Sequence, residues 1–183
     1  MKQIEDSEIL QKFAAENSRN QAFNLLLQKY QQKIYWHVRR MVIDHDDADD
    51  VVQEVFIKVW RNLQNFRNDS QLYTWLYRIA TNESITFLNK KKQKNNISLD
   101  DVDYSLADSL ADSAYFNGDK AQQKLQNALV TLPDKQRLVF NMKYFDDLKY
   151  EEISNILGTS VGALKASYHL AVKKIEKYFL NTD

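Results

Sequence analysis

The sequence predicts an all-α protein made of two small helical domains joined by an acidic, flexible linker. Only 3 Gly and 1 Pro occur among 183 residues, so the chain lacks the turn residues that a many-stranded sandwich or barrel requires. Three long segments repeat their apolar residues at helical spacing. Between the second and third segments lies a stretch that is rich in acids and has little apolar periodicity.

The composition limits the class of protein. The chain has 44% hydrophobic residues, equal numbers of basic and acidic residues at 25 each, and no cysteine, which provides enough apolar material for a buried core. It contains no apolar run long enough to span a bilayer. Its start, MKQIEDSEIL, has acids where a signal peptide needs a basic start and an apolar run. We therefore expect a cytoplasmic protein without a membrane span.

Charged residues are segregated into blocks that suggest the domain limits. Asp44 to Glu54 contains six acids and no Lys or Arg, and Asp100 to Asp112 contains five acids and no base. A basic block ends the second helical segment and consists of Lys90, Lys91, Lys92 and Lys94. We expect an N-terminal helical domain over residues 1–92, a linker over 93–118 and a C-terminal helical domain over 119–183.

The first segment, Asp46 to Leu63, is predicted to form an amphipathic helix. Its apolar face consists of Val52, Val55, Phe56, Val59 and Leu63. The opposite face has Ile57 and Trp60 among charged and amide side chains. Either another helix of the same domain covers Trp60, or Trp60 is the centre of a docking surface, because an apolar centre with a charged rim is typical of interfaces.

The second segment, Phe66 to Lys94, combines an apolar stripe with aromatic, basic and amide side chains. The stripe consists of Leu72, Leu76, Ile79, Ala80 and Phe87. Trp75 and Asn82 lie together at its edge, and such a mixture suits single-stranded nucleic acid, because bases stack on rings and cations hold phosphates. A mainly structural Trp75 is the alternative. Glu83 projects onto the apolar face without an identifiable partner.

The third segment, Leu132 to Phe179, has the spacing of a helix-turn-helix unit. Tyr150 to Leu157 is a short helix, Gly158 can adopt the left-handed conformation of the turn, and Ser160 is a good N-cap for the next helix. One side of that helix is apolar, and the other presents Gly162, Ala163, Lys165, Ala166, His169, Lys173 and Lys177. Small residues allow close approach to base edges while lysines reach phosphates. A helical hairpin that binds no DNA is the alternative.

Together the segments resemble the extracytoplasmic function (ECF) sigma factors, which are small members of the bacterial sigma-70 family. The run DDVVQEVFIKVW, Asp49 to Trp60, resembles sigma region 2.2. The residues FR and TWLYRIATN, within Phe66 to Asn82, resemble regions 2.3 and 2.4, and the terminal unit resembles region 4. The resemblance covers roughly residues 20–92 and 120–180, and SVGALKASYHLAVKKIEKY is similar to versions common in the Bacteroidetes.

The resemblance implies that the chain binds core RNA polymerase and directs transcription initiation. The residues implied to dock on the clamp helices of the polymerase β′ subunit are Asp50, Gln53, Glu54, Ile57 and Trp60. The residues implied to recognise and melt the −10 promoter element are Phe66, Arg67, Trp75, Arg78, Asn82, Lys90, Lys91 and Lys92. The loop Asn65 to Gln71 would hold a flipped base, which costs a few kcal/mol to extrude and needs a stabilising pocket.

The resemblance also implies roles for the remaining parts of the chain. Ser160 and the exposed side of the following helix, from Gly162 to Lys173, would read the −35 element, while region 4 touches the β-subunit flap. The acidic linker would run toward the RNA exit path or act as a solvated tether. Family members are commonly held inactive by an anti-sigma factor, which no residue here identifies. No cofactor, metal or catalytic residue is implied.

One departure from the family pattern lies in the last helix. Many members have arginines near three positions at which this chain has Ser167, Leu170 and Val172. We therefore expect fewer phosphate contacts and weaker binding of the upstream element.

Two other classes of function were considered. The run Asp44 to Asp47 superficially resembles the metal ligands of a hydrolase, but acids at a helix N-terminus complement the helix dipole, and His37 and His169 offer no second ligand set. A helix-turn-helix regulator that does not bind polymerase is the second alternative. Trp60 and the −10-like segment argue against it, so we expect a sigma factor and not an enzyme.

Overall fold

The computed structural model describes residues 4–95 and 120–181, and the regular structure in these ranges is helical. The first unit contains the helices α1 (Asp6–Ala14), α2 (Arg19–Val42), α3 (His45–Asn62) and α4 (Leu72–Asn95). The second unit contains α5 (Lys120–Val130), α6 (Asp134–Tyr144), α7 (Tyr150–Leu157) and α8 (Val161–Asn181). Short 3₁₀ turns span Glu16–Ser18 and Leu63–Asn65. The prediction of two helical units is confirmed for the described residues, and no helix among them is long and apolar enough to cross a bilayer.

The core of the first unit forms where the apolar stripes of α1 to α4 meet. All five residues of the predicted α3 stripe are buried, with Val55 and Val59 at 0% exposure. On α4, Leu72, Leu76 and Ala80 are buried, while Ile79 and Phe87 are partly buried. Burying a Val or Leu side chain stabilises a fold by about 1.5–3 kcal/mol, so these stripes account for the packing of α3 and α4.

The acidic block at residues 44–54 lies at the start of α3. The Asp44 carboxylate accepts a hydrogen bond from the Asp47 N–H at 3.0 Å and caps the helix. The Tyr35 hydroxyl lies 2.7 Å from His45 Nδ1. Because acids in a first helical turn interact favourably with the helix dipole, this placement explains the acidic block as a helix start.

The second unit has the geometry of a helix-turn-helix. The short helix α7 ends at Gly158, whose φ of 65° and ψ of 26° are left-handed, and Ser160 Oγ accepts a hydrogen bond from the Ala163 N–H at 3.3 Å. Ile153 at 0% and Leu164 at 1% exposure join α7 and α8 in the core. The predicted turn, N-cap and inward face are therefore confirmed.

The two units are packed against each other. α7 lies on α4, α6 lies on α2, and one apolar cluster is continuous from the core of the first unit to Met142, Ile153 and Ile156 of the second. α4 extends to Asn95, so residues 93–95 of the predicted linker continue this helix. The rest of that linker lies outside the described residues.

Candidate nucleic-acid and protein interfaces

The outward face of α3 presents the residues predicted to bind polymerase. Asp50, Gln53 and Glu54 are exposed, Ile57 is partly buried, and Trp60 is 36% exposed. This face therefore has an apolar centre with a charged and amide rim, which is the composition of a docking surface.

Trp60 is held in place from below by two other aromatic rings. Its centroid lies 5.4 Å from Phe13 of α1 and 5.0 Å from Phe23 of α2, and both contacts are edge-to-face. Such pairs contribute about 0.5–1.5 kcal/mol beyond the buried area. Other helices of the same unit thus cover one side of Trp60 and fix its orientation, while the rest of the ring faces outward.

A shallow concavity lies between α3 and α4 beside the predicted −10 residues. It has a volume of about 330 Å³. Its lining consists of Lys58, Asn62, Asn65, Trp75, Ile79, Asn82 and Glu83. The ring of Trp75 lies 5.3 Å from that of Phe66, centroid to centroid. The structure thus brings Phe66, Trp75 and Asn82 together at one place, next to the loop that precedes α4.

Several residues of this concavity were not among the predicted site residues, and Lys58 and Asn62 of α3 are two of them. Lys58 Nζ donates to Glu83 Oε1 at 2.5 Å, and Asn62 Nδ2 donates to the Lys58 carbonyl oxygen at 2.8 Å. The ion pair also supplies the partner of Glu83 that the sequence did not identify. The signal for Lys58 was the unpaired acid on the apolar face of α4, which required a cation from a neighbouring helix.

The other predicted −10 residues do not line the concavity: Arg67 lies in the loop before α4, Arg78 lies on α4 between Trp75 and Asn82, and Lys90, Lys91 and Lys92 lie near its end. Arg67 and Lys90 are exposed, and Lys91 Nζ donates to Asp47 at 2.5 Å. Lys92 and Arg78 instead contact the second unit. Lys91 follows Asn82 by nine positions on α4. The lysines at the helix end therefore lie roughly 14 Å from Asn82 along the helix axis, at 1.5 Å per residue.

The predicted −35 residues form one exposed surface on the N-terminal half of α8. Its members are Ser160, Gly162, Ala163, Lys165, Ala166, His169 and Lys173, and all of them are exposed. The Lys165 ammonium lies 5.7 Å from the ring centroid of Tyr150, the first residue of α7. Burial, and then the neighbouring Tyr168, raise the pKa of Tyr150 above its ordinary value.

Two family patterns match the chain on the units that carry these surfaces. The pattern described as Sigma-70 region 2 matches residues 26–94, and the pattern described as Sigma-70, region 4 matches residues 122–175. The first match contains α3 and α4 with the concavity, and the second contains the helix-turn-helix.

Curated relatives match over most of their length. The chain is 32% identical over 183 residues to the RNA polymerase sigma-H factor of Pseudomonas aeruginosa, which covers 96% of this chain and 94% of that protein. It is 34% identical over 165 residues to the ECF RNA polymerase sigma-E factor of Escherichia coli K12, which covers 85% of each protein.

Two solved structures share the fold of this chain's described residues. The sigma factor RpoE of Bartonella quintana, in complex with the anti-sigma factor NepR, has a TM-score of 0.68 at 22% identity and covers 88% of this chain and 98% of that one. CnrH, in complex with the cytosolic domain of CnrY, has a TM-score of 0.71 at 22% identity and covers 97% and 99%. The matched patterns, the relatives and the helix-turn-helix together show that the chain belongs to the sigma-70 family and is a sigma factor of the ECF type.

Proposed function

We propose that three different surfaces of this sigma factor bind the polymerase, the −10 element and the −35 element. The function of the sigma factor is to bind core RNA polymerase and direct promoter-specific transcription initiation. The observation that carries the assignment is that the outward face of α3, the concavity beside Trp75 and the exposed side of α8 are three separate surfaces. Because the three surfaces share no residue, each can be assigned to a different partner.

The outward face of α3 docks on the clamp helices of the polymerase β′ subunit. Trp60 is the anchor, because it is partly exposed and its orientation is fixed by Phe13 and Phe23. An anchor that is rigid before binding loses little side-chain entropy on binding. Asp50, Gln53, Glu54 and Ile57 complete the contact.

The concavity beside Trp75 accepts a base of the −10 element. Its volume of about 330 Å³ is within the usual range of small-ligand sites, which begins near 300 Å³. Trp75 and Phe66 offer faces for stacking, and Asn82 offers an amide for hydrogen bonds to a base edge. Arg67, Arg78, Lys90, Lys91 and Lys92 hold the phosphates of the melted strand.

The exposed side of α8 reads the −35 element as duplex. Gly162, Ala163 and Ala166 let the helix approach the major groove, Lys165 and His169 reach base edges, and Lys173 reaches the backbone. Region 4 also contacts the β-subunit flap. The residues at which many relatives have arginine, Ser167, Leu170 and Val172, provide no phosphate contact, so region 4 depends on the polymerase for part of its affinity.

The remaining assignments concern the chain as a whole. Region 2 occupies residues 1–92 and region 4 occupies residues 119–183, with the acidic segment between them as linker. The factor acts in the cytoplasm and is not an enzyme. An anti-sigma factor is a further partner, which is supported by the structure of the sigma factor RpoE of Bartonella quintana in complex with the anti-sigma factor NepR.

Run-off transcription tests the proposed function. The full chain is added to purified core polymerase on a library of promoter fragments, and transcripts are compared with reactions that lack the chain. We expect transcripts that start downstream of shared −10 and −35 sequences. Sequence-specific DNA binding without any dependence on polymerase would instead identify a helix-turn-helix regulator.

A further inference from the structure

The loop between α6 and α7 inserts a carboxylate of the second unit into the first. The side chain of Asp146 is only 5% exposed. Asp146 Oδ2 lies 2.9 Å from His37 Nδ1, and Asp146 Oδ1 accepts a hydrogen bond from Arg40 Nη1 at 2.7 Å. His37, which is 1% exposed, lies with its Nε2 2.9 Å from Thr81 Oγ1. Asp146 is therefore bound by α2 and linked through His37 to α4.

The surroundings of this carboxylate strengthen the contact. The Arg40 guanidinium lies 4.6 Å from the ring centroid of Phe145, the neighbour of Asp146. Burial, and then the negative charge of Asp146, raise the pKa of Tyr77 on α4 above its ordinary value. A buried carboxylate is stable only when it is paired and hydrogen-bonded, and removal of one partner from such a group is strongly destabilising. Separation of the units would remove both nitrogen partners of Asp146 at once.

Further polar contacts join the units along α4. The Tyr73 hydroxyl donates to the Glu152 carboxylate. Arg78 Nη2 donates to the Asn155 carbonyl oxygen at 2.5 Å. Lys92 Nζ donates to Asp134 Oδ2 at 3.1 Å. These contacts extend over roughly 28 Å of α4, from residue 73 to residue 92 at 1.5 Å per residue.

The contact between the units covers part of the surface that the proposed function requires. Arg78 and Lys92 are assigned to the −10 element, and both are bound by the second unit. DNA cannot contact these two side chains in the same way while α6 and α7 occupy them. The packed arrangement and full −10 recognition therefore exclude each other.

The distance between promoter elements leads to the same conclusion. Elements centred near −10 and −35 are roughly 85 Å apart at 3.4 Å per base pair. A compact unit of this size has a radius of gyration of only about 11 Å. Two units in hydrogen-bond contact cannot span that distance, so the units must separate before both elements are read.

We propose that the insertion of Asp146 between His37 and Arg40 is an intramolecular clasp that holds the free factor closed and opposes its binding to polymerase and promoter. This inference, the Asp146 clasp, rests on the proposed function. A protein whose competent form is only a fraction of the population binds its partner with an affinity reduced by that fraction.

The neighbouring acid provides a matched control for a test in the full chain. Asp146→Asn keeps the shape of the side chain and removes its charge. Asp147→Asn makes the same chemical change at a side chain that is 97% exposed. Both positions lie in the same loop, so the change in net charge is the same in the two variants.

The first measurement is the distance between the units. Because the chain has no cysteine, the exposed residues Gln28 of α2 and Glu176 of α8 can each be changed to Cys and spin-labelled. We expect Asp146→Asn to move the distance distribution, measured by double electron–electron resonance, to longer values, while Asp147→Asn keeps the wild-type distribution. Identical distributions for all three proteins would overturn the clasp.

The second measurement is the affinity for core polymerase. We expect Asp146→Asn to bind at least threefold more tightly than both wild type and Asp147→Asn. Longer distances with an unchanged or weaker affinity would show that closure does not inhibit, and would also overturn the proposal. If Asp146→Asn loses its helical circular dichroism signal, Arg40→Gln takes its place with the same expected results, because the Arg40 side chain is 23% exposed.

The two measurements separate the clasp from the proposed function. If the wild-type chain does not bind core polymerase, the proposed function is wrong, while the distance measurement still decides whether Asp146 holds the units together. If the chain binds polymerase and the distances do not change, only the clasp is wrong.

Discussion

Lys58 of α3 and Glu83 of α4 form an ion pair of 2.5 Å beside the Trp75 concavity. The Glu83 side chain is 17% exposed and that of Lys58 is 47% exposed. This pair joins the helix that we propose docks on polymerase to the helix that we propose contacts the −10 element, and it links the two walls of the concavity.

Loss of this ion pair should destabilise the first unit slightly. We expect Glu83→Ala to lower the free energy of unfolding by about 0.5–1 kcal/mol, which is the upper range for partly exposed pairs. Urea denaturation measures the change. Lys12→Ala, which removes the exposed pair with Glu8 on α1, is the control and should cost at most about 0.5 kcal/mol. Equal effects at both sites would show that the Glu83 pair is no stronger than a surface pair.

Trp60→Ala should weaken binding to core polymerase by about 2 kcal/mol or more, as for an aromatic hot spot. The ring is 36% exposed, so we expect the domain to remain folded. Binding is measured by fluorescence anisotropy with labelled chain, and folding by thermal unfolding. Phe13→Leu is the control: Phe13 is 2% exposed, so this change should reduce stability more than affinity. Unchanged affinity with a lost fold for Trp60→Ala would assign Trp60 to the core.

Changes in α4 should reduce promoter melting without weakening polymerase binding. We expect Asn82→Ala, or replacement of Lys90, Lys91 and Lys92 by Ala together, to reduce open-complex formation, because unstacked bases and their phosphates lose their contacts. Permanganate footprinting of the melted strand measures this. Gln93→Ala, at an exposed position on the same helix, should leave the footprint unchanged. Normal footprints in both test variants would exclude this helix as the −10 reader.

Position along α8 should determine the effect of each substitution on −35 recognition. We expect Lys165→Ala or His169→Ala to reduce discrimination among −35 sequences by about 1–3 kcal/mol, because we propose that these two side chains contact base edges. Lys173→Ala should weaken binding to all promoters alike, because the proposed contact of Lys173 is with a phosphate. The slope of log affinity against log salt concentration should fall in magnitude by about 1. Equal effects of all three changes across a promoter panel, measured by transcription at several salt concentrations, would contradict the assignment of this face.

The features that the sequence predicted correctly depend on local patterns. Apolar periodicity identified the α3 stripe, with Val55 and Val59 at 0% exposure, because a helix places such residues on one face. The turn was predictable for a similar reason, since Gly158 tolerates the left-handed conformation that the αL position requires. Exposure of the α8 surface followed from the same periodicity.

The contacts between the units could not be predicted from these patterns. Periodicity shows that a face of a helix is buried, but it does not show what covers it. Asp146 and His37 are 109 positions apart, and no local signal pairs them. The partner of Arg78 is the backbone oxygen of Asn155, which has no sequence signature. The sequence left the role of Trp60 open between burial within its own unit and a docking surface. The ring is covered on one side by Phe13 and Phe23 and is still 36% exposed.

Because the contact between the units lies within one polypeptide, it determines how transcription depends on the amount of factor. The closed fraction is the same at every protein concentration, so closure multiplies the apparent dissociation constant for polymerase by one constant factor. A separate inhibitor protein must instead be saturated by the factor before free factor accumulates, so transcription then begins only above a threshold concentration of the factor. When the Asp146 contact is the limit, transcription therefore increases from the first molecules of factor that the cell makes. The increase per molecule of factor is reduced, and there is no threshold concentration.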